Sequence, residues 1–268
     1  MAAPDGRIGR GEVARLPAGT YQLRSWEPVA VRSLALRVDR PPFNDVRVRR
    51  ALSLAVDRRA WAAELLDGEA APGLGPVPAA MREWIVPAHE LGEGARYLAH
   101  DPEQARRLLA EAGHARGLTV ACAQPSAHDP EQAAELDLLA ASLRRVGVEL
   151  ALAAPGKPED ASWGPWPAHL EVGAHLEGAF RAGHPENRSR VADPALEAML
   201  DAQRRARSIA ARRRIVADIQ RHAAERVYYV YPPTPKSLAA WSPRVRDYAP
   251  TDSLDRGAQL ESVWLDED

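Results

Sequence analysis

Apolar residues three and four positions apart predict a series of amphipathic helices, because that spacing places them on one helical face. The clearest helix begins at Asp101, whose carboxylate can accept hydrogen bonds from the free amides of the first turn, with Pro102 at the first helical position. Asn44 or Asp45, and then Asp57, are predicted to cap two earlier helices in the same way. Further helices are expected over Arg58–Leu66, Pro130–Val146, Asp193–Arg207 and Ile209–Arg226.

Short apolar runs between these helices predict strands. Leu118–Ala123 and Val148–Ala153 flank one helix within about 36 residues, which is the length of a right-handed crossover, so the two strands are expected to be parallel neighbours. The predicted fold class is therefore α/β, with a mixed sheet. The other predicted strands are Thr20–Trp26, Ser33–Val38, Leu170–Leu176 and the segments VYYVY and SLAAWS on either side of Pro232-Pro233.

Residues 69–98 form a long stretch rich in proline and glycine. Irregular segments of this length inside a compact domain are usually functional or are wrapped over a surface. We expect one of these two roles here.

Composition removes several classes of function. The 268 residues carry 35 Lys and Arg against 37 Asp and Glu, a net charge of −2 that is too balanced to favour nucleic acid or an anionic membrane as partner. The sequence contains no run of 18 apolar residues, so no membrane insertion is predicted. The first residues lack the apolar core of a secretion signal. The chain is expected to stay in the cytoplasm if its first methionine is the genuine start.

Catalytic and metal-binding motifs are also missing. The sequence contains no nucleophile elbow, H-E-x-x-H or P-loop spacing, so no enzyme activity and no cofactor are predicted. Cys122 lies in an apolar strand and is expected to be an inert core thiol. His169 and His175 are six residues apart, with His184 beyond; on the predicted strand the first two would lie about 20 Å apart, too far to share a metal ion.

Five stretches, taken in order, resemble one family. Residues 41–61 read PPFNDVRVRRALSLAVDRRAW and residues 100–117 read HDPEQARRLLAEAGHARG; the other three are LAASLRRVGVEL, NRSRVADPALEAML and RRRIVADIQRHAAERVYYVY. Together they resemble the C-terminal half of the family 5 extracellular solute-binding proteins, the oligopeptide-, dipeptide- and nickel-binding components of ABC importers. Asp45, Arg47 and Arg49 match that family's signature, and we expect them to serve as hinge and helix-cap residues.

The resemblance implies a type II periplasmic-binding-protein-like fold, in which two lobes close on a solute. It implies that this chain is truncated and lacks the N-terminal lobe. Residues 1–38 would be lead-in and hinge strands of the first lobe, residues 39–226 the distal α/β lobe, and residues 227–268 the hinge return and the C-terminal part of the first lobe. A fragment of this kind is expected to expose an apolar surface where the first lobe would dock.

The resemblance also suggests ligand-binding residues. Peptide-binding members use a carboxylate in a Gly-Trp-x-x-Asp-like stretch to hold the amino terminus of the peptide, and the corresponding stretch here contains His175 and Glu177, with Asn187 following. The tryptophan and later tyrosine of that pattern are alanine and valine in this chain. Trp163 and Trp166 precede the stretch and are candidates for an aromatic pocket wall, although tryptophan equally suits a core. Trp84, in the long irregular segment, is a weaker candidate.

Two functions follow as hypotheses. The first is the substrate-capture component of an ABC importer for peptides or similar small solutes, periplasmic or cell-surface, with ABC permease subunits as partners of the full-length protein. The second is the C-terminal metabolite-sensing domain of a cytoplasmic transcriptional regulator, because the same lobes occur there without a secretion signal. The present sequence contains no DNA-reading helix-turn-helix, which counts against the second function.

Overall fold

Helices and strands are interspersed along the described residues. The computed structural model describes residues 10–13, 15–17, 19–123, 130–154, 158–167, 169–250 and 261–266. Its helices are α1 Arg10–Val13, α2 Val46–Ala55, α3 Arg58–Leu66, α4 Pro102–Glu111, α5 Pro130–Arg144, α6 Val172–Phe180, α7 Pro194–Arg205 and α8 Ile209–Arg226. Its strands are β1 Gln22–Trp26, β2 Arg32–Leu36, β3 Ala70–Ala71, β4 Leu118–Ala123, β5 Val148–Leu152, β6 Ala161–Pro165, β7 Tyr229–Val230, β8 Thr234–Pro235, β9 Ser237–Trp241, β10 Val245–Arg246 and β11 Trp264–Leu265.

A five-stranded mixed sheet in the order β5-β4-β6-β2-β7 organises the molecule. Strand β4 runs parallel to both β5 and β6, and β2 runs antiparallel to β6 and β7. The prediction that Leu118–Ala123 and Val148–Ala153 are parallel neighbours is confirmed. The mixed α/β class is confirmed as well.

The sheet separates two hydrophobic cores, one on each face. Along β2, Leu34 and Leu36 belong to the first core and Ala35 to the second, because alternate side chains of a strand point to opposite faces. The first core packs α2, α3, α4 and α5 around Trp61. The second packs α6, α7 and α8 around Phe180. Both faces are therefore covered by helices.

The signature segment at residues 41–61 folds through local caps and buried arginines. Asp45 accepts a hydrogen bond from the amide of Arg47 at the start of α2, and Asp57 accepts from two amides at the start of α3. Arg49 lies inside the protein, where its guanidinium donates to the carbonyl oxygens of Phe43 at 2.7 Å and Arg226 at 2.8 Å. The signature thus joins α2 to the carboxyl end of α8.

The predicted strand over Leu170–Leu176 is wrong, because this segment forms helix α6. Its apolar positions alternate in a way that mimics a strand, yet Leu170 is exposed while Val172 and Leu176, four residues apart, are buried. The Glu171 carboxylate accepts from the amide of Ala174 and caps the helix. The fold instead places a strand at β6, which begins nine residues earlier, where the sequence ASWGP has little apolar alternation.

Residues 69–98 wrap over α8, which is one of the two roles expected for this stretch. The Gln220 side chain accepts from the amide of Val86 at 3.1 Å and donates to the carbonyl of Trp84 at 2.8 Å. Tyr229 and Tyr231 are among the residues that line a cavity of about 20 Å³ beneath the wrap. A space of that volume holds about one water molecule and is too small for a solute.

Among the described residues, three two-stranded antiparallel ribbons lie outside the five-stranded sheet. Strand β1 pairs with β9 in antiparallel register, from Gln22 opposite Trp241 to Trp26 opposite Ser237. Strand β3 pairs with β8, and β10 pairs with β11. Within the ranges that the structure describes, no helix is both long enough and apolar enough to cross a bilayer.

Candidate functional site

One end of the five-stranded sheet gathers several features of a binding site. Strands β4, β5 and β6 all finish there, at Ala123, Leu152 and Pro165, and β2 starts there because Arg32 lies opposite Pro165. We call this end the carboxyl edge. In open α/β sheets, ligands bind in the crevice outside the carboxyl ends of the strands. Residues 27–31, which connect β1 to β2, and residues 231–236, which connect β7 to β9, also reach the sheet at this edge.

A braced loop brings a guanidinium to the carboxyl edge. The Asn187 side chain donates to the carbonyl of Val191 at 2.8 Å and accepts from its amide at 2.9 Å, which holds the loop after α6 closed. Next to it, Arg188 donates to the carbonyl of Pro165 at 3.2 Å, at the end of β6. Burial lowers the pKa of Arg188, so its charge has lost part of its hydration.

Three aromatic rings lie beside this loop. Trp166 meets Tyr229 edge-to-face at 4.7 Å between ring centroids and Tyr231 at 5.8 Å. The Tyr229 hydroxyl donates to the carbonyl of Ala179 at 2.8 Å. The Tyr231 hydroxyl and the Trp166 indole N–H are buried and have no hydrogen-bond partner among the described residues. Two buried donors at the carboxyl edge therefore lack an acceptor.

The expectation that His169 and His175 lie about 20 Å apart is wrong. Their rings touch edge-to-face at 5.0 Å, because the segment is helical and brings His175 back toward the preceding loop. His175 lies 2.9 Å from the carbonyl of His169, and His169 lies 2.9 Å from the Glu186 carboxylate. In the described part of the chain, no three His, Cys, Asp or Glu side chains converge as metal ligands would.

The structure does not bring the four predicted ligand-binding residues together. Glu177 lies in the middle of α6, where its carboxylate is 3.4 Å from Arg181 and 3.5 Å from Arg204. Trp163 packs against Trp61 at 5.8 Å in the first core, on the opposite face of the sheet from Trp166. His175 lies beside the carboxyl edge but is buried.

Cys122 and Trp84, two other residues considered in the sequence analysis, both make packing contacts within the fold. Cys122 is buried in the first core, and that burial raises its thiol pKa to about 12. Trp84 lies on the segment that wraps over α8, where the guanidinium groups of Arg212 and Arg213 sit 5.4 Å and 5.6 Å from its ring. These contacts attach the wrap to α8.

Stability should depend on pH through His175. Burial lowers the pKa of its imidazole to about 4, whereas the unfolded chain takes up the proton near pH 6.5. The contribution of the neutral His175 imidazole to the free energy of unfolding is complete above pH 6.5. It falls by about 1.4 kcal/mol per pH unit as the pH drops towards 4. Urea denaturation of the His175→Gln variant should accordingly show a shallower fall in unfolding free energy between pH 6.5 and pH 5.

The matched control for this experiment is His89→Gln, because the His89 side chain is 81% exposed. This variant should retain the pH slope of the unchanged protein. Equal slopes in the His175→Gln variant and the unchanged protein would contradict a buried neutral imidazole.

The family model for bacterial extracellular solute-binding proteins, family 5, matches residues 17–170, more than half of the chain. This chain belongs to that family. The match includes the signature segment, the capped helix α4, the crossover from β4 to β5, and strand β6. The resemblance inferred from the five sequence stretches is confirmed.

Curated family 5 relatives match a shorter stretch. The chain is 30% identical to heme-binding protein A of Haemophilus influenzae over 96 residues, which are 36% of this chain and 16% of the relative. It is 30% identical to the glutathione-binding protein GsiB of Escherichia coli strain K12 over 98 residues, which are 37% of this chain and 18% of the relative.

Solved structures of similar fold cover nearly the whole chain. The periplasmic binding protein DppA of Helicobacter pylori, in complex with a peptide, matches 96% of this chain and 51% of its own length, with a TM-score of 0.78 and 18% identity. NikZ of Campylobacter jejuni, in complex with nickel and histidine, matches 90% of this chain and 52% of its own, with a TM-score of 0.75 and 17% identity. The chain therefore spans about half the length of its structural neighbours.

Sequence reasoning within the family 5 pattern missed Arg188 and Tyr231. Both adjoin recognised signals: Arg188 follows Asn187, and Tyr231 ends the run VYYVY. An arginine directly after a loop-bracing asparagine was the available signal for the first. No local signal marks the second, because the same run contains Tyr229, whose hydroxyl is satisfied internally.

Proposed function

We propose that this chain supplies one lobe of a solute receptor for an ABC importer and that the solute is captured at the carboxyl edge. The observation that carries the proposal is the pairing of β1 with β9, since it puts an outgoing and a returning segment side by side at that edge. A hinge needs only a few residues at the ends of elements to absorb a large backbone rotation. Two adjacent segments that connect the proposed lobes suit such a hinge.

The proposed hinge segments are residues 27–31 and 231–236. The sequence-based boundaries at residues 38 and 227 would put β2 and β7 outside the distal lobe, but both strands are hydrogen-bonded within the five-stranded sheet. We therefore assign β2 and β7 to the distal lobe. Residues before 27 and after 236 would contribute to the first lobe.

Exposed apolar side chains support the proposal that another lobe covers part of this surface in a longer protein. Leu152 and Leu170, at the carboxyl edge, are 56% and 60% exposed, and Leu23 on the β1–β9 ribbon is 57% exposed. Burying such side chains stabilises an association by roughly 25 cal/mol per Å² of apolar surface. The first lobe of a bilobed receptor is the partner that we propose for them.

The proposed solute belongs to the classes named for the relatives: a short peptide, glutathione, heme or a nickel–histidine complex. The receptor would act without catalysis, at the periplasm or cell surface, together with ABC permease subunits. Glu177 remains a proposed ammonium site, but Trp163 is not among its neighbours, because it packs with Trp61 in the first core on the opposite face of the sheet. Ammonium binding there requires Arg181 and Arg204 to release the carboxylate.

A chimera tests the proposed function. Residues 27–236 would replace the corresponding lobe of the Helicobacter pylori peptide-binding protein, and calorimetry would measure the binding of the four solute classes to the chimera, to this chain and to the parent receptor. We expect the chimera to bind one class at least about a hundredfold more tightly than residues 1–268 alone, because the first lobe of the chimera contacts the solute from the opposite side.

Hydrogen exchange on the same samples locates the binding surface. The bound solute should protect the backbone amides of Gly164, Trp166, Tyr231 and Thr234 in the chimera, since the residues between them are prolines without an amide hydrogen. Micromolar binding to this chain alone, or protection only at sites remote from the carboxyl edge, would contradict the proposal.

A further inference from the structure

We propose that Arg188, Tyr231 and Trp166 form a subsite for a carboxylate group of the captured solute. This inference rests on the proposed function, since it assigns the charge of a group that the carboxyl edge receives. It differs from the ammonium site suggested at Glu177, because all three side chains are hydrogen-bond donors.

In the described part of the chain, no carboxylate lies within ion-pair distance of the Arg188 guanidinium, which is partly buried. Its protein hydrogen-bond acceptors are the carbonyl of Pro165 at 3.2 Å and the carbonyl of Gly164 at 3.5 Å, both contacted by one terminal nitrogen. A guanidinium has five N–H donors, so most of them have no acceptor among the residues that the structure describes. A partly buried cation of this kind gains most from a paired oxyanion.

Tyr231 and Trp166 contribute two further donors close by. Tyr231 is 7% exposed and Trp166 is 5% exposed, and their ring centroids are 5.8 Å apart. Neither the Tyr231 hydroxyl nor the Trp166 N–H has a hydrogen-bond partner within the described ranges. Leaving a buried donor without an acceptor costs about 1–3 kcal/mol, so two of them at one edge favour an incoming acceptor.

Nearby carboxylates of the described residues are already engaged. Glu135 lies 3.1 Å from Arg32, Glu186 lies 2.9 Å from His169, and Glu171 pairs with Arg212. None of these acids lies within ion-pair distance of Arg188. The acceptor that suits the three donors therefore comes from outside this part of the chain, and a carboxylate matches the guanidinium in charge and planar geometry.

Nuclear magnetic resonance on the full chain tests the subsite with defined probes. Trp166→Phe identifies the Trp166 indole N–H signal among those of the seven tryptophans. Acetate and glycylglycine, which carry a carboxylate, should shift this signal in a saturable manner. Glycinamide, which carries an ammonium and an amide but no carboxylate, should leave it unchanged.

Variants separate the subsite from a general charge effect. Arg188→Gln and Tyr231→Phe should each weaken acetate binding by about tenfold, the effect of losing one charge-assisted or buried hydrogen bond. Arg190→Gln is the matched control, because Arg190 carries the same charge two residues along the loop but is exposed, and it should bind acetate as before. Tyr231→Phe removes a hydroxyl without a partner, so it should fold with unchanged or higher stability and keeps the test decisive if Arg188→Gln does not fold.

The results separate this inference from the proposed function. An unmoved Trp166 signal, an equal response to glycinamide, or unchanged acetate binding in Tyr231→Phe would each overturn the carboxylate subsite. If a solute still protected the carboxyl edge of the chimera in hydrogen exchange, the proposed function would stand without the subsite. If neither experiment gave binding at this edge, both would fail.

Discussion

Replacing Trp163 with alanine is expected to lower the free energy of unfolding by about 3–5 kcal/mol, the cost of deleting a large buried aromatic side chain. Trp163 is 5% exposed, and its ring lies 5.8 Å from Trp61 in the first core. The cavity left by the indole would lie beside Trp61 of α3, within the first core. Urea denaturation followed by circular dichroism measures the loss.

Trp264→Ala is the matched control, because Trp264 is 51% exposed and its removal should change stability by less than about 0.5 kcal/mol. The comparison also decides between the two roles considered for Trp163. If Trp163 formed a pocket wall, its replacement would lower the affinity for the solute and change the stability little. A stability loss no larger than that of the control would therefore contradict the core role.

Arg58→Met is expected to lower the free energy of unfolding by about 2–4 kcal/mol, since three partly buried carbonyls lose a donor. The Arg58 guanidinium donates to three backbone carbonyls, those of Tyr231 at 2.9 Å, Leu98 at 3.1 Å and Ser53 at 3.1 Å. It therefore joins the end of α2, the wrap over α8 and the segment that follows β7. Methionine keeps much of the buried apolar stem but supplies no donor.

Arg59→Met, one residue along the same helix, is the control because Arg59 is exposed and its side chain bonds none of these carbonyls. Guanidinium chloride denaturation should give a lower midpoint for Arg58→Met and an unchanged midpoint for Arg59→Met. Similar midpoints in the two variants would show that the buried guanidinium is dispensable. Arg58→Lys should fall between them, because one ammonium cannot reach all three carbonyls.

Local chemistry made most helices predictable. Asp45, Asp57, Asp101 and Asp193 each accept hydrogen bonds from amides two or three residues later, so the information that starts these helices lies within one turn of sequence. The helix over Ile209–Arg226 has the predicted bounds. Strand β4 also has the predicted bounds, because its short apolar run is enclosed by Gly117 and Pro125.

Residues 161–180 show where local pattern was insufficient. Alternating apolar residues favoured a strand at Leu170–Leu176, but the Glu171 cap and the burial of Val172 and Leu176 favour a helix. The strand of this region, β6, is stabilised by pairing with β2, about 130 residues earlier in the chain. Pairing at that separation leaves no trace in a short window of sequence.

The candidate site was predicted in part. The resemblance identified the family and drew attention to the stretch that carries Trp166, Asn187 and Glu177. It gave no sign that Glu177 pairs with two arginines, nor that the Tyr231 hydroxyl lacks a partner while that of Tyr229 has one. Those differences depend on which carbonyl or carboxylate the fold brings near each side chain.

Caps, helical periodicity and the order of the five family stretches are written within short runs of residues, so they could be read before any coordinates were known. The position of Arg49 beneath the carboxyl end of α8, and the meeting of Arg188 with Pro165 at the end of β6, required the folded chain. A hydrogen bond or an ion pair depends on distances of about 3 Å, and such distances between remote residues arise only when the helices and strands have packed.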